Sequence, residues 1–344
     1  MLLAEGQLVV AGKRNYKSNQ PSNYIGQERG KPQPIDGCNN DKPMGGGSGA
    51  ADCNKPTQLP DNILHDDFSE KAPVNTTPDK PKRIVVCADD FGMNSEIDAG
   101  ILSLAQLGRL SATSCMAGAP MLKQDAPALK ASGLQTGLHL NFTEALGASG
   151  MFVPLPQLIM RAYARGLDSE AVRGQIVRQL DAFEDVMGRE PDFVDGHQHV
   201  HQLPQIRTAL LTELAQRYAA KLPWLRYTGV RAQPTVPPRL RYKAQIIQTL
   251  GANRFANLAR GWGFALNAGF LGVYDFQGGA ANYEALLQAW LRHAQAGDVL
   301  MCHPASSANA SDGLGAQRFA EFQVLAGESA GDWLGEYGIS LGPL

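Results

Sequence analysis

Five of the seven histidines follow directly after apolar, strand-like runs of the sequence. They are His139 in TGLHLN, His197, His199 and His201 in VDGHQHVH, and His303 in MCHP. Two acids, Asp89 and Asp90, follow the run RIVVCA in the same way. Because loops at the carboxyl ends of parallel strands build the sites of α/β proteins, we expect these side chains to meet at one rim.

The segment VDGHQHVH is the densest of these motifs. Asp195, His197, His199 and His201 have the same parity, so they point to one side for as long as the chain stays extended. Protonated imidazoles on one side repel one another, and a divalent metal bound by neutral imidazoles relieves that repulsion. The alternative is a histidine cluster that is hydrogen-bonded to backbone groups.

The acidic pair can be interpreted in two ways. An Asp-Asp after a strand can cap the next helix, although Asn94 or Ser95 could also serve as that cap. Neighbouring residues of an extended chain face opposite sides, so one carboxylate could bind a metal while the other accepts a proton from water. Gly92 permits a tight turn directly after the pair. We favour the catalytic interpretation of Asp89 and Asp90.

Composition excludes several classes of protein. With 31 Lys+Arg against 33 Asp+Glu, the chain lacks the basic excess of a nucleic-acid-binding or anionic-membrane-binding protein. No run approaches the roughly 20 apolar residues of a membrane span, and the amino terminus lacks the basic region of a secretory signal. The five scattered cysteines form no CxxC motif and indicate reduced thiols. A cytoplasmic α/β enzyme is expected.

The first 80 residues differ from the rest in composition. They contain 25 Gly, Pro or Asn and only 16 large apolar residues, without sustained periodicity. Such a segment cannot bury enough apolar surface to offset the entropy of ordering it. We therefore predict a disordered extension at residues 1–80 and one folded domain at residues 81–344. Translated sequence upstream of the true start and a partner-binding arm are the other two interpretations of the extension.

Strand and helix patterns alternate from residue 83 to about 341, which predicts a mostly parallel sheet, open or closed into a barrel. Strands are predicted at 83–90, 111–117, 135–141, 193–197, 224–228, 272–276 and 298–304. Helical patterns separate these strands, and a polar excursion covers about 142–166.

Four motifs together resemble the YdjC-like family, also called the ChbG/HpnK carbohydrate deacetylases. They are ADDFG at 88–92, GLHLN at 137–141, DGHQHVH at 195–201 and HP at 303–304. The resemblance covers about 83–341 in the same motif order. It implies a distorted (β/α) barrel and a hydrolase that removes acetyl groups from N-acetylated sugars, such as chito-oligosaccharides or sugars of hopanoid lipids. A homodimer is usual in that family.

The resemblance also implies roles for individual residues. Asp90, His139 and His197 would bind one metal ion, and Asp89 would be the general base. His303 is the first candidate for the acid that protonates the leaving amine, with His199 or His201 second. The candidates for groups that support the metal ligands from behind are Asp195, His199, His201 and Asn141. Members are usually described with Mg²⁺, whereas two imidazoles and one carboxylate suit Zn²⁺ better by ligand preference.

Two other functions fit a histidine-rich barrel. A metal-dependent phosphoesterase would use more ligands, several metals and an arginine for the phosphate, and no arginine stands within the motifs. A non-catalytic carbohydrate-binding protein would not need both Asp89 and Asp90. The N-acetylated sugar deacetylase is therefore the preferred hypothesis.

The compositional boundary leads to a first prediction. A chain that begins near Thr77 should fold and retain any activity of the full chain, because the folded domain is predicted to start after it. Thermal unfolding and activity of the two chains, measured side by side, test this. A large drop in melting temperature or in activity on truncation would show that the extension contributes to the fold.

Overall fold

The computed structural model describes residues 81–344 in full, together with the backbone of two short strands near the amino terminus. These strands, β1 (Leu2–Ala4) and β2 (Gln7–Val9), pair as an antiparallel hairpin. The rest of the predicted extension lies outside the described residues. Its proposed disorder, and the domain boundary at residue 80, stay predictions.

Within residues 81–344, eight strands form one sheet in which every pairing is parallel. They are β3 (Lys82–Phe91), β4 (Ala112–Cys115), β5 (Gln135–Leu140), β6 (Phe193–Gly196), β7 (Trp224–Leu225), β8 (Phe270–Leu271), β9 (Val299–Cys302) and β10 (Ile339–Leu341). Their order is β7-β6-β5-β4-β3-β9-β8, and β10 pairs with the start of β3.

Single bridges connect the two ends of this sheet. Leu225 bridges to Leu266, and Val230 bridges to Phe270 of β8. The sheet therefore curls into a distorted barrel whose seam consists of isolated bridges and not of a continuous ladder. The predicted parallel α/β barrel is confirmed.

Helices cover the outside of the sheet and fill the connections between its strands. They are α1 (Ser95–Gln106), α2 (Leu122–Ala131), α3 (Leu155–Tyr163), α4 (Ser169–Met187), α5 (Ile206–Arg217), α6 (Pro238–Thr249), α7 (Ala252–Gly261), α8 (Gly279–His293), α9 (Gly315–Ala326) and α10 (Glu328–Glu336). A 3₁₀ helix, His197–Gln202, follows β6 directly. None of the helices in the described residues combines the length and the apolarity that crossing a bilayer requires.

The alternation of side chains along β3 divides the core into two layers. Ile84 and Val86 pack outward among the residues that contact the helices. Val85 and Cys87 point into the barrel, where they meet Phe193 and other interior side chains. Because both faces of β3 are buried, its sequence is a continuous apolar run.

One predicted strand is wrong in position. The motif GVYDF at 272–276 was expected to be extended, but β8 ends at Leu271. Gly272 has a left-handed φ of 95° there, and a Cβ at that position would overlap the carbonyl oxygen of Met301. Only glycine fits this turn, which ends the strand and leads into the loop that carries Tyr274 and Phe276.

Candidate active site

The carboxyl ends of four strands bring the predicted side chains together. Asp89 and Asp90 come from β3, His139 from β5, His197 follows β6 and His303 follows β9. All five side chains are buried. The expectation that these motifs share one rim is therefore met by the fold.

A sharp turn at the end of β3 separates the two acids. Asp90 has a left-handed φ of 74° and Gly92 one of 95°, and a non-glycine residue in that region costs on the order of 1–3 kcal/mol. Asn94, and neither of the two acids, caps α1, because its Oδ1 accepts a hydrogen bond from the amide of Ile97 at 2.9 Å. Both carboxylates are thereby left for other contacts.

Asp90 lies between two imidazoles. Its Oδ1 is 3.1 Å from Nδ1 of His197 and 3.4 Å from Nε2 of His139. One ligand atom from each of these three residues can be chosen so that all lie within 4.8 Å of one another. The predicted metal-binding set therefore converges on one point.

Each imidazole is held from behind by a carboxylate. Nδ1 of His139 lies 2.6 Å from Oδ1 of Asp195, and Nε2 of His197 lies 3.1 Å from Oε1 of Glu144. A proton on each of these outer nitrogens leaves the inner nitrogen, which faces Asp90, with a free lone pair. Such outer carboxylates orient imidazole ligands in metal sites. The sequence pointed to Asp195 for this task but missed Glu144, an acid three residues after the GLHLN motif.

Arg318 of α9 is the other main contact of Asp90, and sequence reasoning missed it. Its Nη2 donates to Oδ2 of Asp90 at 2.7 Å, and the side chain is only 3% exposed. Burial alone would raise the pKa of Asp90, but Arg318 and His197 outweigh it and hold the pKa well below its usual range. Asp90 is therefore a carboxylate at any neutral pH.

Asp89 lies in a different environment, against a second buried arginine. The Arg226 guanidinium donates to both carboxylate oxygens of Asp89, at 2.5 and 2.7 Å, and lies 2.6 Å from Oδ2 of Asp195. Ser114 donates a further hydrogen bond at 3.1 Å. Burial raises the pKa of Asp89, but Arg226 more than offsets this and lowers it far below its usual value. Arg226 directly follows β7, and the structure pairs it with two acids.

His303 is held by its backbone. Its amide donates to Oε2 of Glu321 at 2.6 Å, and Nε2 lies 3.9 Å from Oδ2 of Asp89. Burial lowers the pKa of the imidazole to about 4, and Asp90 and Asp89 offset this only in part. His303 is therefore neutral at neutral pH. Glu321, like Arg318, belongs to α9 and had no recognisable motif in the sequence.

The parity argument for VDGHQHVH is wrong beyond His197. The extended chain ends at Gly196, and the 3₁₀ helix that follows contains left-handed residues at Gln198 and His199, with φ of 53° and 61°. His199 consequently packs edge-on against Phe270. Nε2 of His201 lies 3.0 Å from the carbonyl oxygen of Arg226, so it supports that arginine and does not touch the metal-binding set.

Asn141 acts through the loop that carries Glu144. Its Oδ1 accepts hydrogen bonds from the amides of Thr143 and Glu144, and its Nδ2 donates to the Glu144 carbonyl oxygen at 2.5 Å. Gln179 of α4 bonds the Asn141 backbone in turn. The side chain thus fixes the loop that brings a carboxylate to His197.

An open cavity of about 350 Å³ adjoins this cluster. His197, Glu144 and Arg318 form its inner wall, and Asn309, Ser311 and Asp312 form much of the outer wall. The hydroxyl, amide and carboxylate groups of this lining suit a polar molecule. Of the metal-binding set, His197 lines the cavity directly.

The donor atoms fit a single divalent ion. With metal–ligand bonds of about 2.0–2.2 Å, neighbouring ligand atoms lie roughly 3.0–3.5 Å apart, and the two separations from Asp90 to the imidazoles are 3.1 and 3.4 Å. A second group, Cys87, Asp89 and Asp195, also converges. There, however, Nη2 of Arg226 contacts all three side chains, which leaves no room for a cation.

Comparison with known proteins agrees with this geometry. The model of the YdjC-like protein family matches residues 83–336, which is most of the chain. The chain belongs to the YdjC-like family. This confirms the resemblance drawn from the four motifs.

Similar curated proteins are named as deacetylases. A human carbohydrate deacetylase is 30% identical over 152 residues, which cover 40% of this chain and 47% of the human protein. A chitooligosaccharide deacetylase of Serratia marcescens is 33% identical over 140 residues, covering 36% of this chain and 53% of that protein. The chain thus spans about half the length of the curated relatives it matches.

A solved structure has a similar fold. It is a proposed cellobiose-phosphate cleavage protein from Enterococcus faecalis, which is 20% identical and matches with a TM-score of 0.55. The match covers 76% of this chain and 97% of the Enterococcus chain. At this identity the likeness concerns the fold alone.

The electrostatics of the cluster predict a proton-linked metal affinity. Burial lowers the pKa of both imidazoles, but Asp195 and Asp89 raise that of His139 to about 10, and Asp90 raises that of His197 to about 9, in the metal-free protein. Both must lose a proton to bind a metal, so affinity should rise with pH up to about 10, and more steeply below about 9 than above it.

Calorimetric titration with Zn²⁺ in buffers of different ionisation enthalpy measures the released protons. Release approaching two protons per ion at pH 7 is expected, one from each imidazole. A pH-independent affinity without proton release would place the metal elsewhere.

Proposed function

We propose that the protein is a metal-dependent hydrolase that removes acetyl groups from N-acetylated sugars and yields acetate and an amino sugar. The observation that carries this proposal is the buried Asp90–His139–His197 set, with Asp89 and His303 beside it and with His197 in the wall of a polar cavity. The deacetylase names of the relatives support it. Candidate substrates are chito-oligosaccharides and glycolipid- or hopanoid-linked N-acetylglucosamine.

Asp90, His139 and His197 would hold the metal. A divalent ion bound there would lower the pKa of a water and polarise the acetyl carbonyl group. Ligand preference favours Zn²⁺ for two imidazoles and one carboxylate, whereas the family resemblance implies Mg²⁺. Metal content after reconstitution with each ion, compared with activity, distinguishes them.

Asp89 is proposed as the general base. Arg226 and Ser114 orient its carboxylate, which remains deprotonated because Arg226 lowers its pKa. The same arginine makes Asp89 a weak base, so it can accept a proton only from a water that is already acidified. Asp89 takes that proton as the water oxygen forms its bond to the acetyl carbon.

His303 is proposed to deliver a proton to the leaving nitrogen. Since burial lowers its pKa to about 4, it does not wait in the protonated form. Its Nε2 lies 3.9 Å from Oδ2 of Asp89, a gap that one water can bridge, and through such a water it would receive the proton that Asp89 has taken. Transfer from His303 to the nitrogen accompanies cleavage of the C–N bond and restores both residues.

Both rival functions make different predictions for the same assay. A phosphoesterase would release phosphate, and a carbohydrate-binding protein would release nothing from N-acetylglucosamine oligomers. Cytoplasmic location and a homodimer belong to the proposal as well and rest on the sequence and the family resemblance.

Substitutions should separate the base from the metal ligands. Asp89→Asn should keep its metal and lose about 10²–10⁴-fold in the rate of acetate release, which is typical of general acid–base catalysis. His139→Ala should lose the metal itself, because one of its protein ligands is gone. Metal analysis and an acetate assay on N-acetylglucosamine oligomers measure both effects. Metal loss in Asp89→Asn with retention in Asp90→Asn would reverse the two roles.

The role of His303 can be tested by the leaving group. His303→Ala should slow amide substrates by about 10²–10⁴-fold and activated acetate esters far less, because a good leaving group needs no proton. Replacement of His293 at the end of α8, which bonds Thr235 away from the site, is the control and should change neither rate. An equal loss on amide and ester would instead indicate that His303 positions the carbonyl group.

A further inference from the structure

A second cavity, of about 40 Å³, is lined by Phe276, the aromatic neighbour of His303. The 3₁₀ helix after β6, helices α3 and α6, and the loop after β8 surround it. Its wall is mostly apolar and is formed by Leu155, Ile159, Leu203, Ile247, Val273 and Met301. The proposed mechanism makes no use of this cavity.

A buried cation stands in this apolar wall. Lys243 of α6 is 5% exposed, its Nζ donates to the Tyr274 carbonyl oxygen at 2.6 Å, and it lies 5.6 Å from the ring centre of Phe276. Among the described residues no carboxylate approaches Nζ within 4.0 Å. An ammonium group buried with only a carbonyl and an aromatic ring as partners is poorly compensated.

Two further polar side chains line the cavity without hydrogen-bond partners among the described residues. They are Oε1 of Gln198 and Nδ1 of His199, both buried. Both residues have left-handed backbones, with φ of 53° and 61°. Strain of this kind persists where the surrounding structure enforces it, and it concentrates at ligand sites.

Phe276 connects this cavity to the proposed active site. Its ring packs edge-on against His303, with ring centres 5.0 Å apart, and it also contacts Tyr274 and Lys243. Its backbone is left-handed as well, with φ of 56°. The cavity is thus separated from the proposed proton donor by a single aromatic ring.

We propose that this cavity binds a short-chain carboxylate, and that its ligand is the acetate that the proposed reaction releases. The methyl group would contact the apolar wall, and the carboxylate would accept hydrogen bonds from Nζ of Lys243 and from Nδ1 of His199, which carries the proton in one neutral tautomer of the imidazole. The choice of acetate rests on the proposed function, whereas the carboxylate specificity rests on the cavity itself.

Size and charge both favour this ligand. A volume of about 40 Å³ holds roughly three water-sized probes, which suits the four heavy atoms of acetate and excludes a sugar ring. Burial lowers the pKa of Lys243 to about 8, with a partial offset from Asp275, so the ammonium form predominates at pH 7. A small anion supplies the charge that the protein does not.

Titration of the metal-loaded enzyme with ¹³C-labelled sodium acetate, followed by NMR, tests the proposal. Lys243→Met should weaken acetate binding by at least about tenfold, which is the lower bound for a hydrogen bond to a charged group. Lys221→Met, at an exposed lysine, should not change it. The initial rate of acetate release without added acetate should stay unchanged in Lys243→Met.

Several results would overturn the proposal. The first two are that acetate does not bind to the unmodified enzyme, or that it binds Lys243→Met with unchanged affinity. The third is that acetate binding is lost only in Asp90→Asn without its metal. The fourth is that Lys243→Met has a raised KM for the sugar but an unchanged affinity for acetate. Ile247→Phe, which fills the cavity, replaces Lys243→Met if that variant does not fold, with the same expected loss. Acetate binding is measured without turnover, so it can be tested separately from the reaction. If acetate binds and binding depends on Lys243, but the protein releases no acetate from sugars, the proposed function is refuted and the acetate site stands.

Discussion

The site depends on how one buried carboxylate is compensated. Oδ1 of Asp90 faces His139 and His197, while Oδ2 accepts a hydrogen bond from Arg318. A buried anion without such partners would be costly. Because these partners come from β5, the 3₁₀ helix and α9, a single side chain sets the relative positions of three elements.

The neighbouring acid, Asp89, has an arginine partner of its own, and this allows two adjacent carboxylates to differ in chemistry. Arg226 binds Asp89 and Asp195 together, and Asp195 in turn orients His139. Two guanidinium groups therefore each compensate part of the negative charge of the rim: Arg226 pairs with Asp89 and Asp195, and Arg318 pairs with Asp90. One supports the proposed metal ligand, and the other supports the proposed base. The left-handed turn at Asp90 makes this division possible.

Local sequence predicts the site residues that directly follow strands. It does not predict the site residues that distant helices contribute. The positions of Asp89, Asp90, His139 and His197 followed from apolar runs that end in polar residues. Arg318 lies in an ordinary amphipathic helix, where its pairing with Asp90 has no local signal. Strand parity also gave the wrong orientation for His199, because no residue in VDGHQHVH indicates that the extended backbone ends at Gly196.

The two arginine–aspartate pairs have a consequence for the order of assembly. Asp89 and Arg226 are 137 residues apart in sequence, and Asp90 and Arg318 are 228 apart. Contacts this distant form only after long loops have closed. During synthesis, the strand with both acids leaves the ribosome long before either arginine exists. The charged rim is therefore completed late, and the acids of β3 stay solvated until α9 has been synthesised.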